Sequence, residues 1–280
     1  TEVFIDVLTQ VHKQCNLPPK IKQIPDIKSI KSEDKISVEE LKQALEKHEL
    51  MVYFQPQVSF KDGSLSGAEV LVRWQHPTLG LLYPDRFIQL AEMSDSIHYL
   101  TKAVLESSLS QQKKWREAGH DYSIAVNLSV RNLNDNRCFE LLERLLSEYE
   151  TEAHMLELEI TEGVFMHNEE HTLAVLHRLK SLGIQMSIDD FGTGYSNFSY
   201  LAKMEPDYLK IDGSLIKNIE NKKDFDVVKA IVDFAKMYDI KTVAEFVENE
   251  DIHVLVKELG IDYSQGYYFG RPVPYEEIIK

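Results

Sequence analysis

Cysteine is nearly absent. The chain holds two in 280 residues, Cys15 and Cys138, far apart and without CxxC spacing. That argues against a disulfide framework and against a thiolate metal site, and it fits a reducing cytoplasm. No apolar run approaches the length needed to span a bilayer, and the N-terminus lacks the basic-then-apolar pattern of a signal peptide. Positive charge is in deficit: 31 Lys and Arg face 46 Asp and Glu, for a formal net charge of -15. Binding along a nucleic-acid backbone needs a cationic track, so long nucleic acids are poor candidates as partners. A small phosphate ligand stays open, because clustered carboxylates can hold divalent cations that then face an anion. The ten histidines are scattered without ligand spacing. No Gly/Pro-rich or low-complexity tract splits the chain, and with 43% hydrophobic residues one large core is the expectation.

The sequence opens on Thr1 rather than Met, which suggests a piece of a longer protein. Residues 1–12 read as a helical tail of an upstream element, and the Lys- and Pro-containing stretch that follows reads as a linker. The domain proper is placed at 37–280. It starts with a capping-box spacing, Ser37 and Glu40, followed by an apolar stripe of Val38, Leu41, Ala44 and Leu45. From there about eight strand-like runs appear: MVYFQPQV, SGAEVLVRW, YSIAVNLS, MLELEIT, QMSIDDF, DYLKID, KTVAEFV and YSQGYYF. Amphipathic stretches such as FELLERLLSEYE and FDVVKAIVDFAKMYD lie between most of them. This alternation predicts an α/β fold, a TIM-type (β/α)8 barrel. Only SFKDGSLS separates the first two runs, too short for a crossover helix, so the first strand is predicted antiparallel.

The polar residues nearest the ends of these runs are Glu69, Asn127, Glu159, the pair Asp189 and Asp190, Lys210, Glu245 and Gln265. Barrels of this class carry their active sites on that rim. Except for Lys210 and Gln265 these residues form a set of hard oxygen donors, which suits magnesium or manganese rather than zinc. If Asp189 bridges two ions and Asp190 binds one, the ions would sit about 3.5 to 4 Å apart, as in phosphodiester hydrolysis. Lys210 cannot ligate a metal while protonated; near the attacking water or the scissile phosphate, its ammonium would orient one and offset charge on the other. Any single strand-end acid is more often a helix cap or an ion-pair partner; the joint occurrence is the signal. Asp190-Phe191-Gly192 matches the kinase metal tripeptide, but no Gly-rich loop or HRD sequence accompanies it. A glycosidase needs one dominant carboxylate pair and aromatic sugar platforms. A metal-using lyase with a lysine base is a closer competitor.

At these residues the chain resembles the EAL domains, bacterial c-di-GMP phosphodiesterases named for a Glu-Ala-Leu tripeptide. Here it reads Glu69-Val70-Leu71, within the pattern completed by Arg73. Gln55-Pro56, Asn127-Leu128-Ser129, Glu159-Ile160-Thr161-Glu162, Asp189 to Gly194, Lys210-Ile211-Asp212 and Gln265-Gly266-Tyr267 stand at matching places. The resemblance implies a site for two divalent cations, Mg2+ or Mn2+, built from Glu69, Asn127, Glu159, Asp189, Asp190 and Glu245. It implies catalytic roles for Glu69, Lys210, Glu245 and Asp190, and substrate contacts for Gln55, Leu71, Arg73, Asp212 and Gln265. Glu162 would hold the loop after Asp190. The implied substrate is c-di-GMP and the product is linear pGpG. A homodimer through that loop, and an upstream sensory or regulatory domain, are also implied. The expected location is the cytoplasm, or the cytoplasmic part of a membrane-anchored protein. Some family members have lost metal ligands and serve only as c-di-GMP receptors, which is the alternative function. One departure stands out: where the family often reads Glu-Gly-Val-Glu, this chain has Glu245-Phe246-Val247-Glu248.

Overall fold

A computed structural model of the protein describes residues 36–162, 169–192 and 198–278. The expected tail and linker, up to residue 35, lie outside the described residues. Nine strands are described: β1 Leu50–Ser59, β2 Leu65–His76, β3 Gly80–Leu82, β4 Ser123–Asn127, β5 Leu156–Thr161, β6 Gln185–Phe191, β7 Tyr208–Ile211, β8 Lys241–Ala244 and β9 Tyr263–Gln265. Eight of them close a barrel in the order β1-β9-β8-β7-β6-β5-β4-β2, and β1 returns to pair with β2. From β2 round to β9 the barrel neighbours run parallel. β1 runs antiparallel to both of its neighbours, as its short connection predicts. That connection is tightened by Asp62, whose Oδ1 accepts from the Ser64 backbone at 3.1 Å. β3 was not foreseen; it is three residues that turn back antiparallel on the end of β2.

The helices that cover the strands include α1 Val38–Glu46, α2 Ser96–Glu117, α3 Asn136–Glu148, α4 Glu169–Ser181, α5 Phe198–Met204, α6 Lys222–Met237 and α7 Glu250–Glu258. The capping box that opens α1 is formed as the spacing requires. Ser37 Oγ accepts from the Glu40 backbone at 3.2 Å, and the Ser37 backbone donates to the Glu40 carboxylate at 2.8 Å. Such a cap is worth about 1 kcal/mol.

Strand alternation sorts the chain into two environments. On β5, Leu156, Leu158 and Ile160 are buried in the hydrophobic layer under the helices, while Glu157 and Glu159 alternate with them and point into the barrel. The layer between strands and helices, where Leu105, Leu142, Leu176 and Val232 are fully or almost fully buried, is the main core. Each such side chain stabilises the fold by about 1.5–3 kcal/mol. A second cluster gathers Leu41, Trp74, Leu82, Phe87 and Ile97 beside the far end of β2. Among the described residues no helix is long and apolar enough to cross a membrane.

Candidate active site

The barrel's inward positions near the strand ends converge on Lys210. Its ammonium lies 2.9 Å from a Glu159 oxygen, 3.0 Å from Asp189, 3.0 Å from Glu245 and 3.6 Å from Glu69. The side chain is fully buried. Burial alone would push its proton affinity down; the carboxylates of Glu159, Glu245, Glu69 and Asp189 outweigh it and hold the lysine well above its ordinary pKa. Lys210 is therefore a fixed positive charge at the centre of an acidic ring.

Around it the acids form two groups. On one side Asn127 Nδ2 donates to Glu69 at 3.0 Å and to Glu159 at 3.2 Å, so the amide ties two strand ends together. On the other, Asp189, Asp190 and Glu245 each place a carboxylate oxygen within 4.8 Å of the others. Adjacent aspartates reach one site because the strand is broken there. The register between β6 and β7 shifts between Ile188 and Phe191, and Asp190 takes a left-handed φ of 57°. A bulge of this kind re-aims a side chain that regular alternation would send to the opposite face.

Glutamines brace the ring from the antiparallel side. Gln265 donates to Glu69 and to Gln55 at 3.2 Å, while its own carbonyl accepts from Gln57 at 3.0 Å. The next residue, Gly266, is required by close approach: a Cβ there would lie 2.1 Å from the backbone oxygen of Val247. Leu71 and Arg73 share the inward face of β2 with Glu69, two and four residues on. The Arg73 guanidinium is buried against Tyr83 and Tyr53, 4.8 and 5.6 Å from their ring centroids, with no carboxylate in ion-pair range among the described residues. Burial holds its pKa below the ordinary value. Asp212, just past β7, caps the following turn by accepting from the Ser214 backbone at 2.8 Å. Glu162 is half-buried just past β5; the Thr193-Gly194 part of the loop it was expected to hold lies outside the described residues.

Among the inward polar residues, Glu157 and Gln57 escaped the sequence reading. Glu157 lies one inward step below Glu159, and Gln57 one inward step from Gln55; both are buried. The signal was present, since each stands two residues from a residue singled out on the same strand face.

The ring carries more negative charge than Lys210 offsets. Burial, then Asp189 and Glu69, raise the Glu245 carboxyl to about 8 against the pull of Lys210. Burial, Asp189 and Asp212 raise Asp190 to about 6. Burial and the Glu69 charge push Glu159 well above the carboxylate range. Burial raises Glu157 to about 7. Glu159 Oε1 is buried with no hydrogen-bond partner among the described residues. An all-oxygen donor set, an orphaned carboxylate oxygen and carboxylates that attract protons are together what a hard divalent cation fits.

The model of one family, the EAL domain, matches residues 38–272. The chain belongs to that family. Among its relatives, the cyclic di-GMP phosphodiesterase NbdA of Pseudomonas aeruginosa is 40% identical over 238 residues, which is 84% of this chain and 30% of NbdA. The bifunctional diguanylate cyclase/cyclic di-GMP phosphodiesterase MucR of the same organism is 36% identical over 242 residues, 86% of this chain and 35% of MucR. The chain thus spans about a third of these curated relatives' length. The solved structure of PaMucR phosphodiesterase in complex with c-di-GMP superposes with a TM-score of 0.82 at 36% identity, covering 86% of this chain and 98% of that one. In this EAL domain the tripeptide Glu69-Val70-Leu71 lies mid-strand on β2, not in a loop, which points Glu69 and Leu71 to the same side.

Proposed function

We propose that this EAL domain hydrolyses one phosphodiester bond of cyclic di-GMP to linear pGpG with the help of two divalent cations, Mg2+ or Mn2+. The observation that carries the reading is the ring of Glu69, Glu159, Asp189, Asp190 and Glu245 around one buried ammonium at the strand ends. The names of NbdA and of MucR, and the c-di-GMP complex of PaMucR, support the substrate class.

Glu69, Asn127, Glu159, Asp189, Asp190 and Glu245 would hold the cations. When bound, the cations would supply an activated water and neutralise charge on the phosphate. The protein's own contribution is charge and position. Arg73, without a carboxylate partner among the described residues, offers its guanidinium to a phosphate oxygen. Lys210 keeps its proton and so can orient a water and offset developing negative charge, while its carboxylate contacts fix it in place. Gln265 and Gln55 present amides at the wall nearest β1, and Asp212 and Leu71 line the approach for the nucleotide. In the reaction, water oxygen bonds to phosphorus and the P–O3′ bond breaks. The products are a 5′-phosphate and a 3′-hydroxyl that takes up a proton. Dimerisation through the segment after Asp190 belongs to the same reading, as does control by a further domain of a longer protein.

Incubating the domain with c-di-GMP and either metal, and following pGpG by chromatography, tests the reading. Product in a metal-dependent manner is expected. Binding without product in both metals would make the domain a receptor.

A further inference from the structure

Phe246 follows Glu245 directly, and burial in the core does not explain it. It holds a left-handed φ of 53° although it carries a bulky ring, and the residue remains 49% exposed. Backbone strain at a half-exposed aromatic is not offset by burial; such outliers gather where a side chain is held for use.

The surroundings of the ring fix its position. Gly213, the residue after Asp212, meets it flush: a Cβ at Gly213 would fall 2.1 Å from the Phe246 Cδ2 atom. Only a glycine lets the ring lie against that backbone. Lys217, one turn on, places its ammonium 4.2 Å from the ring centroid, and Glu248 holds that ammonium at 3.5 Å. Both neighbours rise from one helical turn, and between them the residue stays half-exposed. A cation over one face also draws electron density from the ring, which favours an electron-rich partner on the other. The ring thus stands on the lip of the site, beside Glu245 in the chain and against the turn that Asp212 caps.

We propose that Phe246 is a stacking platform for one purine base of the bound dinucleotide, and so a specificity-determining residue of this chain. The proposal rests on the cyclic dinucleotide reading above. A fixed aromatic face is what a purine needs, since every base offers a π-face and a rigid ring loses little entropy on binding it.

Steady-state hydrolysis of c-di-GMP with Mn2+ tests it in the parent chain, Phe246→Leu and Phe246→Trp. Leucine keeps an apolar side chain without a π-face; its KM should rise about five- to ten-fold, the lower range for loss of one base–aromatic stack. The loss should fall on KM rather than kcat. Tryptophan should keep KM near the parent's, and its indole fluorescence should be quenched by saturating c-di-GMP. An unchanged KM in Phe246→Leu, or an unquenched indole at saturation, overturns the platform while leaving the hydrolysis reading intact. If the parent binds c-di-GMP without turnover, Kd replaces KM as the readout. A parent that neither binds nor hydrolyses it removes the dinucleotide reading and the platform together.

Discussion

Lys210 is the residue on which the site balances, because one ammonium faces carboxylates from four different strand ends. Removing one partner of a buried ionic cluster costs about 3–5 kcal/mol, since the remaining charges stay buried without compensation. Lys210→Ala should therefore lower the urea unfolding free energy by about that amount. Millimolar Mg2+ should recover more stability in this variant than in the parent, measured in the same titration. Glu69→Ala is expected to abolish pGpG formation while leaving the circular dichroism of the folded domain unchanged; full activity in that variant would refute the assignment of Glu69. At this scale the sequence was most legible where a residue type and a strand end coincide. Every strand-end acid singled out lies at the ring, because hard donors at inward positions have few other uses. Glu157 was not read because it lies one layer deeper, where a carboxylate is unexpected in an interior.

At the scale of elements, periodic patterns told most and irregularities least. The amphipathic runs became α3, α4 and α6 because their apolar stripes find a continuous strand surface to cover. β8 and β9 are shorter than the runs that announced them. The chain turns out of the ladder after Ala244 and Gln265, and the departure after Ala244 carries Glu245 to the rim. The bulge that aims Asp190 left no mark in composition; it depends on pairing between β6 and β7 that a single strand cannot reveal. Helix ends repeat one device. At His48, Glu150 and Asp239 a non-glycine residue takes the left-handed position that Gly119 and Gly260 fill elsewhere. After His48, the Glu49 backbone closes the end of α1 by donating to Ala44 at 2.9 Å. His48 is exposed, so His48→Gly should stabilise the domain by about 1 kcal/mol by relieving that strain. Chemical denaturation at neutral pH would measure it, and a loss of stability would refute the cap reading.

For the whole molecule, the acid ring makes folding and cation binding dependent on one another. Asp190, Glu157 and Glu245 have folded pKa values of about 6, 7 and 8, above the values of about 4 in the unfolded chain. The folded state thus keeps protons that the unfolded chain has released. Stability is greatest at the acid end of this window and is lost as pH rises from about 4 towards 8. Denaturation with EDTA from pH 5 to 8 should show that decline, and Mg2+ should flatten it. A curve that rises with pH in EDTA would contradict the charge balance described. Architecture at this scale was read from the number of strand runs and from the brevity of SFKDGSLS. The second cluster around Trp74 was not, because it is built from segments before and after β2 that only the fold brings together.

The reversed direction of β1 also decides where the polypeptide comes in. A first strand running with its neighbours would start at the floor of the barrel and bring its upstream segment there. Because β1 runs the other way, Leu50 pairs with Trp74 near the outer end of β2, and α1 packs beside that end. Ten residues of strand, at roughly 3.3 Å each, move the entrance by roughly 30 Å. Ile36, which packs against that same cluster, thus stands on the side of the barrel where the strands end and the acid ring lies.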